Sequence, residues 1–214
     1  MKQMICAAAL VASVLLPTMS SAQTVDVTGE VGWVSEYYYR GIPQATSSAS
    51  AGLELETAGF YLGSWAADVG DGAEIDLYGG YAVEAAGFDL GLGATGYFYT
   101  GDFDATYREA NVFAGRGPIE VEFSFGQWDA FEGPSENYTF VGATASHEGL
   151  YLSGGIFGGD FEGRYAEAGY DFSIVADLDM RASWIWSDRA LSGRGVPDHT
   201  LALGITKTFR LLGG

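Results

Sequence analysis

From Ile119 to Trp128 the chain alternates: Ile119, Val121, Phe123 and Phe125 are apolar, while Glu120, Glu122, Ser124 and Gly126 between them are acidic or small. A period of two predicts a β-strand with one greasy face and one acidic face. The greasy face needs a second sheet, as in a soluble sandwich, or lipid, as in an outer-membrane barrel whose acidic face lines the interior. The same pattern sets Leu53 and Leu55 against Glu54 and Glu56. It also sets Ile75, Leu77, Tyr81 and Val83 against Asp76 and Glu84, and Leu178, Met180, Trp184 and Trp186 against Asp179, Arg181 and Ser183.

Turn signals cut these runs into hairpins. Residues 56–63 and 84–91 share the pattern Glu-x-Ala-Gly-Phe-x-Leu-Gly, a tight turn with a strand leaving it, and related turns fall at 116–118, 147–150 and 175–176. Tight turns thus recur about every 30 residues, the length of one strand-loop-strand unit. The other connections, 41–47, 67–73, 101–106, 129–136, 158–163 and 187–198, are longer and mostly acidic. Strands are expected at 25–39, 48–57, 59–68, 74–85, 87–99, 107–116, 118–128, 137–146, 149–157, 164–173, 177–187 and 199–209. The expected fold is all-β: a transmembrane antiparallel up-and-down β-barrel of about twelve strands, with short turns at one end and longer loops at the other.

Girdle residues favour the barrel over the sandwich. Phe60, Phe88, Ile119, Leu150 and Leu178 recur just after each tight turn and suit an inner interfacial ring, with Trp128, Trp184, Trp186, Tyr37, Tyr38 and Tyr39 as an outer one. Twelve strands about 4.8 Å apart and tilted about 40° give a backbone diameter of roughly 24 Å and a lumen of roughly 12 Å. The expected lining comprises Glu30, Glu54, Glu56, Asp76, Glu84, Asp89, Glu109, Glu120, Glu122, Glu167, Asp171, Asp179 and Arg181. Arg108, Arg164 and Arg181 are the bases available to neutralise it in a plugged interior, and they are too few. The remaining carboxylates need interior water, and rings of carboxylate attract cations and exclude anions.

Charge and the first residues narrow the class further. Lys2, the apolar run Ile5 to Leu16 and the small residues Ser20 to Ala22 read as a secretory signal over 1–22, leaving 23–214 as one barrel domain. Cys6 falls inside that segment, so no disulfide, thiol nucleophile or thiolate metal site is expected in the exported chain. A formal net charge of −18 makes nucleic acid and anionic lipid headgroups poor partners. After the signal, no apolar run is long enough to predict a spanning helix.

Other chemistry is thinly represented. His147 and His199 are the only bases for neutral pH, and His199 with Asp198, Ser187 and Ser192 is the one Ser/His/Asp grouping, without a nucleophile motif around it. Residues 68–72 and 102–104 offer carboxylates for Ca²⁺ but lack the ligand count of a closed site. The outer loops are short for an adhesin. No catalytic residue, metal site or cofactor is assigned.

The segment Ser35-Glu36-Tyr37-Tyr38-Tyr39-Arg40-Gly41-Ile42-Pro43-Gln44, followed by 59–69 (Gly-Phe-Tyr-Leu-Gly-Ser-Trp-Ala-Ala-Asp-Val) and 74–81 (Glu-Ile-Asp-Leu-Tyr-Gly-Gly-Tyr), resembles the TorF family of proposed porins, also described as the Gcw_chp family. Lys207-Thr208-Phe209 resembles that family's ending, although Arg210 to Gly214 continue beyond it; Glu36, Tyr39 and Pro43 replace the family's Asp, Phe and Ser. The resemblance implies an outer-membrane barrel of a Gram-negative bacterium with a proposed porin role, inserted by the barrel assembly machinery. It also singles out Arg40, Gly41 and Gln44 at the first longer loop. Arg40 reads either as a rim cation facing Asp68 and Glu74 or as a salt bridge fixing the loop.

The expected function is diffusion of small, preferably cationic, hydrophilic solutes through an acidic lumen. The expected surroundings are outer-membrane lipid and lipopolysaccharide. A closed barrel with a structural or ligand-binding role, and less readily a hydrolase, are the alternatives.

Overall fold

The computed structural model describes residues 25–213; the expected export segment, 1–22, lies outside them. The chain forms β1 (Asp26–Tyr39), β2 (Ile42–Thr57), β3 (Phe60–Asp68), β4 (Ala73–Ala85), β5 (Phe88–Tyr99), β6 (Tyr107–Arg116), β7 (Ile119–Trp128), β8 (Glu136–His147), β9 (Leu150–Gly159), β10 (Gly163–Val175), β11 (Leu178–Ser187) and β12 (Asp198–Leu212). Every strand pairs antiparallel with its sequence neighbours, and β1 pairs with β12 to close the ring. Closure removes the unpaired sheet edges that lipid cannot solvate.

Turn chemistry sets the hairpins. Ala58-Gly59, Ala86-Gly87 and Glu148-Gly149 all have positive φ at both central residues, the twist that suits a two-residue hairpin. At the opposite end the connections lengthen, to 100–106, 129–135 and 188–197.

The period of two sorts the side chains. Leu62, Leu92, Phe123, Leu152 and Leu201 stand exposed on the outside of the ring. Each such side chain gains about 1.5–3 kcal/mol on leaving water, so this surface requires lipid. No helix among the described residues is long and apolar enough to cross a membrane. The strands do the crossing.

The first hairpin departs from expectation. Residues 41–47 were expected as a loop, with the second strand starting at 48; instead Arg40-Gly41 is a two-residue turn with φ of +46° and +79°, and β2 starts at Ile42. Residues 42–47 show no apolar alternation because this part of the hairpin faces no lipid. Two irregularities bend it: Ser47 has φ +60°, and the register shift between Tyr37 and Tyr38 leaves Gln44 unpaired.

The outer girdle is corrected accordingly. Trp184 is exposed as expected, but Tyr37 is buried, Tyr39 bonds to Tyr97, and Trp128 donates to Asp104 at the loop end. In the bent hairpin Tyr37 and Tyr39 share the inward face, and Trp128 falls on the same face of β7 as Glu120 and Glu122. On the inner ring Phe60, Phe88, Ile119 and Leu150 are exposed.

Candidate functional site

The bend carries the tip of the first hairpin across the mouth of the barrel. Arg40, only 9% exposed, sends its guanidinium to the far wall. Its Nη1 and Nη2 donate to the two carboxylate oxygens of Glu109 at 2.6 and 3.1 Å, and Nη2 also donates to Glu122 at 2.6 Å and Ser124 at 3.2 Å. The cation lies 4.1 Å from the ring centre of Phe140. Gly41 has no room for a side chain, since a Cβ there would overlap Tyr165, and its carbonyl accepts from Ser187. Gln44 donates to the carbonyl of Ile42.

Glu109 is held from every side. Tyr97, Tyr138 and Asn111 donate to it at 3.1, 2.8 and 2.9 Å, while Tyr39 and Tyr97 share a hydroxyl contact of 2.7 Å. Arg40 therefore pairs with Glu109 and Glu122, not with Asp68 or Glu74. The reason is reach: the inward bend aims the turn at β6 and β7, across the ring. Around it Tyr138, Phe140, Phe157, Tyr165 and Leu191 form an aromatic cluster with Ile42 of the hairpin packed against it.

A cavity of about 210 Å³ remains, bounded by β1 to β5 on one side and β10 to β12 on the other. Of the expected lining, Glu54, Asp76, Glu167, Asp171, Asp179 and Arg181 face it, as does Glu30. Arg181 grips Asp171 at 2.6 and 2.8 Å and lies over Tyr151, which in turn donates to Glu167. Glu56, Glu84, Asp89 and Glu120 sit nearer the short turns, where Glu84 and Asp89 face each other across β4 and β5 and Glu120 pairs with Gly115.

The expected counter-charges are corrected. Arg108 is exposed and pairs outside with Asp129, and Arg164 is exposed, so neither serves the interior. Both lie on the face opposite their inward neighbours. Arg40 takes their place. Glu74, read from the sequence only as a rim acid beside Arg40 and left out of the expected lining, is 1% exposed and accepts from Tyr37 at 3.0 Å. Its position two residues before Asp76 was the available signal.

The remaining candidates have other partners. Ser187 is engaged with Gly41, Ser192 donates to Val196, Asp198 pairs with Arg194, and His199 lies beside Trp184. Asp68 accepts from the Gly70 amide, and Asp104 accepts from Ala105, Trp128 and Tyr107. These contacts fix loops. Among the described residues no group of three or more acidic, His or Cys side chains is placed to hold a metal ion.

A closed ring of twelve antiparallel strands, apolar outside and charged within, defines a transmembrane β-barrel. Residues 18–171 match the family described as "Bacterial protein of unknown function (Gcw_chp)", and the chain belongs to that family. No curated protein matches it. Among solved structures it resembles one from a study of the in-meso crystallization of membrane proteins, with a TM-score of 0.61 at 11% identity over 87% of this chain and 84% of that one. Pseudomonas aeruginosa OccD3 (OpdP) gives a TM-score of 0.43 at 12% identity, over 91% of this chain and 67% of that one. A BenF-like porin from Pseudomonas fluorescens Pf-5 gives 0.43 at 12%, over 89% and 65%.

Proposed function

We propose that the protein is an outer-membrane channel that passes small, preferably cationic, hydrophilic solutes, entering its membrane through an export signal at 1–22 and the barrel assembly machinery. The observation that carries this reading is the cavity with Glu30, Glu54, Asp76, Glu167, Asp171 and Asp179 on its walls. Of the described arginines, Arg40 and Arg181 pair with carboxylates of the interior, Arg40 with Glu109 and Glu122 and Arg181 with Asp171. An excess of fixed negative charge in a narrow, low-dielectric passage concentrates cations and repels anions. The lumen-lining role extends to Glu56, Glu84, Asp89 and Glu120 near the short-turn end.

The first hairpin belongs to this reading as the element that closes the loop-side mouth. Single-channel recording in a planar bilayer under a salt gradient tests it: current steps with a cation-selective reversal potential are expected. A silent bilayer containing folded, inserted protein would instead favour a closed barrel with a ligand-binding or structural role, the reading to which the docked hairpin gives most support.

A further inference from the structure

The wall of the cavity built by β1 to β5 differs from the wall opposite. Asp76 is 2% exposed, faces the cavity, and its Oδ1 has no hydrogen-bond partner. Glu30 and Glu54 face the same space, and none of the three has an ion-pair partner among the described residues. Arg40 is held by Glu109 and Glu122, and Arg181, across the cavity, binds Asp171 through Nε and Nη2 while its Nη1 has no hydrogen-bond partner. An unpartnered buried carboxylate is costly to leave unpaired. A bound cation would satisfy it, as would a proton shared with Glu74.

The site's shape selects the kind of cation. A bare metal ion draws its oxygen ligands to within about 2.6 Å, and these carboxylates are too dispersed to do that. Aromatic side chains complete the wall instead: Trp65, Tyr78 and Tyr97 line the cavity beside the acids. Gly52 lets Glu30 and Trp65 close over the strand, since a Cβ at that position would lie 3.1 Å from each side chain. Carboxylates interleaved with Trp and Tyr rings are the chemistry that holds an alkylated or primary ammonium group. A volume of about 210 Å³ far exceeds the roughly 10–15 Å³ that one water needs and leaves room for a cation of several heavy atoms.

We propose that this cavity is a binding site for a small organic ammonium ion, with Asp76 as its principal counter-charge, Glu54 and Glu30 flanking, and Trp65, Tyr78 and Tyr97 as the aromatic wall. It rests on the cation-preferring channel reading and narrows the solute class. Choline is the probe, and 3,3-dimethylbutan-1-ol, which has the same shape without the charge, is the control. In calorimetric titration of the folded protein in detergent, choline is expected to bind at least about tenfold more tightly than the alcohol, and Asp76→Asn to weaken choline about tenfold. Glu54→Gln, at a less buried position, serves if Asp76→Asn fails to fold, and Asp129→Asn in an outer loop should leave binding unchanged.

Equal binding of the two probes, or choline binding indifferent to Asp76→Asn and Glu54→Gln, overturns the site. So does absence of binding, the outcome if Asp76 is satisfied by a proton shared with Glu74, its neighbour two residues along the same face of β4. The bilayer separates the two readings. Choline binding with a silent bilayer sinks the channel and keeps the site, whereas cation-selective current without choline binding does the reverse.

Discussion

Arg40→Gln tests the docked hairpin most directly. The substitution removes the charge that satisfies Glu109, whose side chain is fully buried, and leaves it only the neutral donors Tyr97, Tyr138 and Asn111. Deleting one partner of a buried ion pair costs about 3–5 kcal/mol. Glu122 retains some contact with water and Gln can keep one hydrogen bond, so about 3 kcal/mol is the expected penalty. At about 1.4 kcal/mol per decade, the docked hairpin loses roughly a hundredfold in population relative to the undocked one. In bilayer recordings the open fraction should therefore rise by at least about tenfold. Adding Glu109→Gln should cost less than the sum of the single changes by more than about 1 kcal/mol in urea titrations of vesicle-inserted protein. An unchanged open fraction in a folded variant would mean that the hairpin is not what closes the mouth, and strict additivity would deny the ion pair its role.

Three other outcomes follow from the same geometry. Gly41→Ala places a methyl against Tyr165 at φ +79° and should displace the hairpin tip, so that trypsin cleaves after Arg40 in the variant but spares that bond in the parent protein. Glu30→Gln combined with Glu54→Gln should move the reversal potential toward zero under a salt gradient, because both acids face the cavity and neither is held in an ion pair among the described residues; an unmoved potential would remove that wall from the conduction path. Leu62→Arg, at a side chain 64% exposed on the lipid face, should cost about 2–4 kcal/mol of folding into vesicles if it sits near the bilayer midplane. Arg189→Lys, at an exposed position in the loop before β12, should cost nothing measurable.

Alternation was enough to find the barrel, because lipid outside and charge inside force a strict period of two on every spanning strand. Ile119 to Trp128 shows it within ten residues, and β7 begins and ends there. Turns were equally readable, since Ala-Gly and Glu-Gly pairs at hairpin tips require the backbone those residues adopt. The first hairpin was not readable in the same way. Its tip leaves the lipid, so the rule that places every other strand lapses from Ile42 to Ser47, and what positions it is a set of contacts with residues 69 to 146 positions away in the chain. Arg40 could be singled out as a cation near acids, yet Glu109 and Glu122 become its partners only because of a bend at Ser47 and Gln44. Tyr37 and Tyr39 were assigned to the interface for the same reason. Glu74 was within reach, being in phase with Asp76 at the first position of an expected strand, but it reads only as a rim neighbour of Arg40 and stays out of the expected lining.

Closure of the ring by β1 and β12 has a consequence for how the protein is made. Val27 pairs with Leu212 and Val34 with Gly204, so the seam joins the two most distant parts of the described chain. Such contacts carry the largest loop-closure entropy and form late. The strand that makes the seam also carries Arg40 and its turn, whose docking partners on β6, β7 and β10 must already be in place. Completing the wall and stoppering the mouth are thus tied to a single strand. A chain stalled before β12 pairs with β1 would be unsealed along its length, which makes the fifteen residues of β12 the checkpoint for a membrane that must not leak while the barrel is being built.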